Sequence, residues 1–525
     1  MTAGTVAPYR SQVRGGSGGG FAPLLHAEWT KFRTVRGWVI AMIIAALVTV
    51  GFVLLGQDSC GTGTSAACTL PLGPGGEAVA DSFYFVRQPL EGNGSITVRV
   101  TSLTGLLPDE TAGPHARVGS GQSTADMHPG LEPWSKAGII LEENTSQGAA
   151  YAAMMVTGAH GVQMQYDYTQ DAPGLAGAVS AASPRWLRLT RSGDTVTGYD
   201  SADGIAWTKV GTATLPGLPT TVQAGLFAAS PDYTHVVSAS LGASHVTGGP
   251  TLATAAFDHT SLQGRWTGGW IGADIGGPNG MYPQRPGGFR RSGRGFTVTG
   301  SGDIVPDVPG SGTGGGISVA DALVGTFAGL IVVVVVGTMF MTAEYRRGLI
   351  RTTLTASPRR GQVLLAKAIV TGLVTFVVGL VAAAVALPVG ERHLRAGGSF
   401  IDPVSLLTEV RLVAGTAALL AVAAILALAL GAVLRRSAVA VTVAIMVIVV
   451  PYILSSALSG GASQWLLRVT PAAGFAIQRA YPDYAQLGVT GGDYPLAPWA
   501  GFAVLCAWAA ALLGLAVFLL RRRDA

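Results

Sequence analysis

The sequence predicts a membrane protein of mixed α + β class: a six-helix transmembrane bundle with an extracytoplasmic all-β sandwich inserted between the first and second helices. Three observations predict it. Six apolar runs approach or exceed the roughly 20 residues needed to cross a hydrocarbon core, in a chain of 525 residues that is only 12% charged and 49% hydrophobic. Residues 57–318, between the first two runs, change to a Gly-, Thr- and Ser-rich composition with short alternating segments. Arg and Lys gather on every second connection, so the positive-inside rule fixes one orientation.

From the N-terminus, residues 1–20 are Gly/Ser-rich with no apolar period and read as a disordered tail. Residues 21–56 hold an interfacial helix and the first span. In LLHAEWTKFRTVRG, Leu25, Glu28, Trp29, Phe32 and Val35 recur at helical spacing, with Lys31, Arg33 and Arg36 largely off that face. That pattern fits a helix lying in the membrane interface. The span itself runs from Trp38 to Leu55. It reads as an uncleaved anchor rather than a signal peptide, because LLGQDSC offers no small-x-small cleavage site.

Residues 57–80 form a linker carrying Cys60 and Cys68, which either pair as a disulfide in an oxidising compartment or stay as two free thiols. Cys506 falls in the last span and serves as a small apolar residue. Residues 81–306 are the sandwich. SITVRV, AGIILEE, WLRLTR, TVTGYDS, VQAGLFA and HVVSASL alternate between Gly, Pro and Asp turns, the pattern of all-β architecture. Gly193-Asp194 and Asp203-Gly204 mark two tight hairpins. Trp186 and Trp207 belong to strand patterns and read as core. Trp266 and Trp270, in RWTGGWIG, are the candidates for an exposed platform that stacks on cell-wall glycan. Glu142 and Glu143 are adjacent on a strand and face opposite sides, so they do not form a glycosidase pair. No metal-binding spacing appears.

Residues 307–321 are a second linker, and 322–525 hold five more spans: Ala322–Thr342, Val363–Val389, Ser405–Leu434, Ala438–Leu458 and Pro498–Leu520. Pro451 should kink the fifth span. Lys31, Arg33 and Arg36, then Arg346 to Arg360, Arg435 and Arg436, and Arg521 to Arg523 all fall on one side when both termini are cytoplasmic. The net charge of +5 therefore reflects topology; no basic stripe with interleaved aromatics points to nucleic acid. No phosphate-binding Gly-x-x-x-x-Gly-Lys-Ser/Thr loop occurs, so the chain binds no cofactor of its own and ATP chemistry is not expected on it.

The most informative stretch is EYRRGLIRTTLTASPRRGQVLLAK, from Glu344 to Lys367, between the second and third spans. On its residues alone it is either a docking helix or a basic loop that sets topology and touches anionic lipid. Glu344 and Gly348, followed by Ala-Ser-Pro-Arg-Arg and Ala-Lys, resemble the corresponding loop of type-2 ABC exporter permeases, the ABC-2 family. The resemblance implies a bacterial plasma-membrane permease that works with a separate ATPase subunit, which uses the ATP. It also implies a second permease, as homodimer or heterodimer. Glu344, Arg346, Arg347, Gly348, Arg351, Arg359 and Arg360 are then the ATPase-coupling loop, while Glu28, Trp29, Lys31 and Arg33 belong to the interfacial helix that opens these permeases. Residues 459–496 are similar to the family's outer re-entrant helices. The phrases from Asp81 to Leu262 resemble concanavalin-A-like, laminin-G-like jelly-roll domains, with the family's opening strand displaced to GFTVTGSGDI at Gly295–Ile304. The competing reading is a glycan-binding sensor or adhesin without transport, for which six spans are more than an anchor requires.

Overall fold

The computed structural model describes residues 21–55, 70–108, 127–238, 244–276, 284–293, 295–307, 318–346, 360–397, 400–401, 403–457, 461–480 and 495–523. Six helices in it are long and apolar enough to span a membrane. The first is Arg36–Val53, preceded by the N-terminal helix Phe21–Thr34. The second is Thr326–Arg346, entered through a short 3-10 turn, Val319–Leu323, that Ser318 and Asp321 close with a capping box. This turn is continuous with the span, so the helical unit begins ahead of residue 322.

The third span, Arg360–Ala396, runs past its expected end at Val389 and carries Pro388 inside it. The fourth, Leu406–Leu434, starts at a Ser405 cap and ends at Arg435, whose left-handed φ of 58° stops the helix. The fifth is two pieces, Ser437–Ile448 and Val450–Ala457, broken just ahead of Pro451. Proline lacks the amide that would continue the ladder, so the break falls in the turn before it. The sixth is Pro498–Arg523.

The fourth span is the hub, with 72% of its apolar window buried, against 22% for the first and sixth. Small residues allow its close packing: a side chain on Gly337 would meet the Ala424 carbonyl, and one on Gly431 the Thr338 carbonyl. At the end opposite the Glu344 turn, helix Gly461–Val469 and the buried 3-10 segment Pro471–Gln478 pack inward. The Gln478 amide donates there to Thr326 and Thr416.

The β domain is a 14-stranded antiparallel sheet that wraps into two layers around one long strand, Phe83–Pro108. The first half of that strand pairs with Thr221–Ala229, and its second half with Arg185–Ser192 and Leu252–Trp266. Between the layers lies an apolar core that includes Val98, Leu187, Leu189 and Val196 from one side and Leu141, Met154 and Leu226 from the other. The late strand Gly295–Gly300 pairs with Leu252–Trp266 and buries Phe296 and Val298 in this core while Thr297 faces out. Gly193 and Asp194 form the tight turn between Arg185–Ser192 and Thr195–Ser201. Asp203 and Gly204 instead lie in a longer connection, residues 202–207, before strand Thr208–Thr214.

The chain enters and leaves this domain side by side. Val79–Asp81 pairs with Ile304–Pro306 as a separate two-stranded ribbon, with Val79 and Ile304 in a second apolar cluster beside Phe83, Phe85, Tyr151, Tyr168 and Phe227. Leu72 already bridges to Ala78, so the domain starts near residue 70 and takes in the end of the expected 57–80 linker.

Candidate functional site

The N-terminal helix buries only Glu28 and Phe32 outright. Trp29 and Val35, expected on the same face, are exposed at 42% and 41%. A carboxylate on the buried face of an amphipathic helix requires a partner, because an isolated buried charge is prohibitively costly. Two lysines supply it. The Lys367 ammonium lies 2.6 Å from Glu28 Oε2 and 2.7 Å from Glu344 Oε1. Lys31 lies 2.7 Å from Glu28 Oε1 and 3.1 Å from Glu344 Oε1. Two cations and two anions thus form a closed, neutral square.

Its burial is uneven. The Lys367 side chain is 1% exposed and Glu28 3%, whereas Lys31 is 42% exposed. The Lys367 ammonium also sits 4.4 Å from the centroid of the Phe340 ring. Phe340 meets Phe32 edge-on at 5.4 Å and Trp38 at 6.1 Å, so an aromatic floor excludes water beneath the charges. Burial lowers the Lys31 affinity for its proton, but the Glu28 hydrogen bond and the Glu344 charge outweigh burial and raise its pKa above the ordinary lysine value. Glu344 Oε2 is buried and has no hydrogen-bond partner among the described residues.

The square joins three elements far apart in sequence. Glu344 is in the last turn of the second span, and Lys367 lies two turns inside the third. These are the two helices that flank residues 347–359, which lie outside the described residues together with Arg347, Gly348, Arg351 and Arg359. Arg346 and Arg360 are the helix termini on either side. Glu344 is buried, and Arg33 is exposed on the N-terminal helix. Lys367 had no assigned role in the sequence reading. The legible signal was the combination of Glu28 on an apolar face and a lone lysine in an apolar helix.

In the β domain, Trp266 and Trp270 do not stand free. Both are half-buried against the core, Trp270 edge-on to Phe296 at 5.1 Å, while the Trp266 ring nitrogen donates to the Gln263 carbonyl. Trp186 and Trp207 are not core residues either. Strand Arg185–Ser192 turns Leu187 and Leu189 inward, which places Trp186 on the outer face with Arg188. Trp207 lies in the 202–207 connection after strand Thr195–Ser201, its ring centroid 3.8 Å from the Arg188 guanidinium. Asp203 caps that connection by accepting hydrogen bonds from the Ile205 and Ala206 amides. Among the described residues no group of three His, Cys, Asp or Glu side chains could hold a metal ion. Cys60 and Cys68 lie outside the described residues, and Cys506 is a free thiol.

Comparison with known proteins finds one family whose profile covers most of the chain. Residues 140–525 match the profile of the family described as ABC-2 family transporter protein. No curated protein matches. Among solved structures, one similar chain is a functionally unknown protein from Saccharomyces cerevisiae, at 16% identity over 38% of this chain and 84% of that one, with a TM-score of 0.22. Another is scytalido-glutamic peptidase with a transition-state analog inhibitor, at 8% identity over 42% of this chain and 98% of that one, with a TM-score of 0.23. TM-scores this low bear on neither fold nor chemistry.

Proposed function

Because the chain belongs to the ABC-2 family of transporter proteins, we propose that it is the permease subunit of an ATP-driven exporter whose ATP hydrolysis occurs on a separate subunit. The permease sits in a bacterial plasma membrane with both termini cytoplasmic and the β domain outside, and it pairs with a second permease of the same or another kind. The observation that carries the mechanistic reading is the buried Lys367 ammonium, bonded at once to Glu28 and Glu344.

Residues 347–359 are the segment on which the ATPase docks. Both helices that flank this segment are tied by Lys367 and Lys31 to the N-terminal helix, which leads directly into the first span. A displacement of the docked segment therefore moves the first three spans together. Charge balance makes the tie strong: removing one member leaves an uncompensated buried charge, which typically costs about 3–5 kcal/mol. Glu344 is a positioning residue in this scheme, and the docking contacts fall to Arg346, Arg347 and Arg351.

Copurification tests the assignment. The chain, tagged and extracted in mild detergent, should bring down an ATPase subunit whose hydrolysis falls sharply with Gly348→Leu in the docking segment. An absence of ATPase under conditions where the permease remains folded would overturn the proposal.

A further inference from the structure

The ribbon Val79–Asp81/Ile304–Pro306 is the short antiparallel pair through which the chain enters and leaves the β domain. Its two strands are held to the domain by separate buried polar contacts. On the outgoing strand, Lys136, fully buried, lies 2.7 Å from Asp303 and donates to the Ile304 carbonyl at 2.9 Å. On the incoming strand, Asp81 Oδ2 accepts from the Tyr168 hydroxyl and the Gly148 amide, both at 2.8 Å, and Gln147 donates to the Asp81 carbonyl.

The two attachments differ in charge balance. The outgoing one pairs an ammonium with a carboxylate. The incoming one has no cation in contact with Asp81 among the described residues, and a second carboxyl lies behind it. Tyr168 packs edge-on against Tyr151 at 4.8 Å, and Tyr151 stands directly across the sheet from Glu142. Asp81, Glu142 and Tyr151 are 1%, 2% and 0% exposed. Asp81 Oδ1, Glu142 Oε2 and the Tyr151 hydroxyl are all buried without a hydrogen-bond partner among the described residues. The other charged groups acting here are Asp167 and Asp171 from the following hairpin, Glu77 from the segment leading into the ribbon, and Arg87 from the long strand, whose positive charge only partly offsets Glu142. Tyr168 holds its ring in place from a left-handed φ of 60°, beside Asp167 at 44°, a backbone that non-glycine residues adopt only at a cost.

We propose that Asp81 and Glu142 form a proton-dependent latch that fastens the ribbon to the β domain when protonated and loosens it as the surrounding pH rises. Two buried carboxyls with orphaned oxygens cannot both ionise cheaply. Burial pushes Asp81 up to about 6, against the weaker opposing hydrogen bonds from Tyr168 and Gly148. Burial, then the Asp81 charge, raise Glu142 well above the ordinary carboxyl range. The sign follows from linkage. The fastened state binds more protons than the released one, so fastening is complete below the ordinary carboxyl range and is lost as pH rises through the raised value. Each proton involved shifts the balance by up to about tenfold per pH unit between the ordinary carboxyl value and the raised one.

Hydrogen–deuterium exchange on the full-length protein in detergent tests the latch. After correction for intrinsic exchange, amides of 78–81, 304 and 305 should exchange about fourfold or more faster at pH 7.5 than at pH 5.5. Both Glu142→Gln and Asp81→Asn should flatten that difference, and Asp167→Asn, which removes the neighbouring turn carboxyl, should keep it. If one of the first two variants fails to fold, the other carries the same comparison. Equal corrected exchange at the two pH values in the wild type, or a full pH difference surviving in Glu142→Gln, would overturn the proposal.

Discussion

Replacing Lys367 with methionine removes the most buried charge of the Glu28–Lys31–Glu344–Lys367 square while keeping most of its volume. Lys367 contacts both carboxylates closely, at 2.6 and 2.7 Å. Without it, Glu28 and Glu344 share only Lys31, which is 42% exposed and whose hold is weakened by water. Breaking a buried ion pair by removing one partner costs about 3–5 kcal/mol, and the surviving Lys31 contacts place the loss near the lower figure. For a helical unit of this size each kcal/mol moves Tm by about 2–4 °C, so the melting point should fall by roughly 6–12 °C. Differential scanning fluorimetry of the detergent-solubilised protein reads this directly. The contact between Glu28 and Lys367 also makes their substitutions non-additive. Combining Lys367→Met with Glu28→Gln should cost less than the sum of the two single changes, by about 1–3 kcal/mol. Strict additivity, or an unchanged melting point in Lys367→Met, would refute the reasoning.

Other expectations are as specific. Phe296→Ala should destabilise the β domain by about 3–5 kcal/mol, because its ring is buried between the layers; a loss under 1 kcal/mol by chemical denaturation would mean the late strand is dispensable. Gly204→Val combines a positive φ of 76° with a side chain that would press into the Trp186 ring, so it should cost about 1–3 kcal/mol and raise proteolysis of the 202–207 connection. A cysteine-free protein carrying Ala202→Cys should label with an impermeant thiol reagent in intact cells, and Ser357→Cys should not; the reverse pattern would invert the topology. Melting of the full-length protein should give a β-domain transition higher at pH 5.5 than at 7.5, since burial pushes both Asp81 and Asp167 up to about 6 and the folded state binds the extra protons.

Much of the architecture was legible in the sequence, and the misses have physical causes. Span positions follow from apolar run length, a property of the chain itself, and strand positions from alternation about turns. Pro451 announced the break in the fifth span through its missing amide. Pro388, by contrast, sits inside the continuous third helix, so proline alone did not set that end. The outward turn of Trp186 depends on register, since a one-residue shift would have buried it in place of Leu187. The charge square was hidden for a different reason. Lys367 and Glu28 are 339 positions apart, and Lys31 and Glu344 are 313 apart, with a whole β domain inserted between them. Local periodicity can show that Glu28 needs a cation, but only the packed bundle shows which one. The ribbon was missed similarly: three-residue strands carry too little pattern, and only their mutual pairing reveals them.

The central claim is that the N-terminal helix and the third span move as one body because Lys367 binds them. Spin labels at Trp29 and Leu365, both on exposed positions of these two helices, measure that separation by pulsed electron resonance in the complex with its ATPase. The wild-type distance should stay the same with and without a bound ATP analogue, and in Lys367→Met the distribution should broaden and shift when nucleotide binds. A wild-type distance that changes on nucleotide binding as much as that of Lys367→Met would contradict the account.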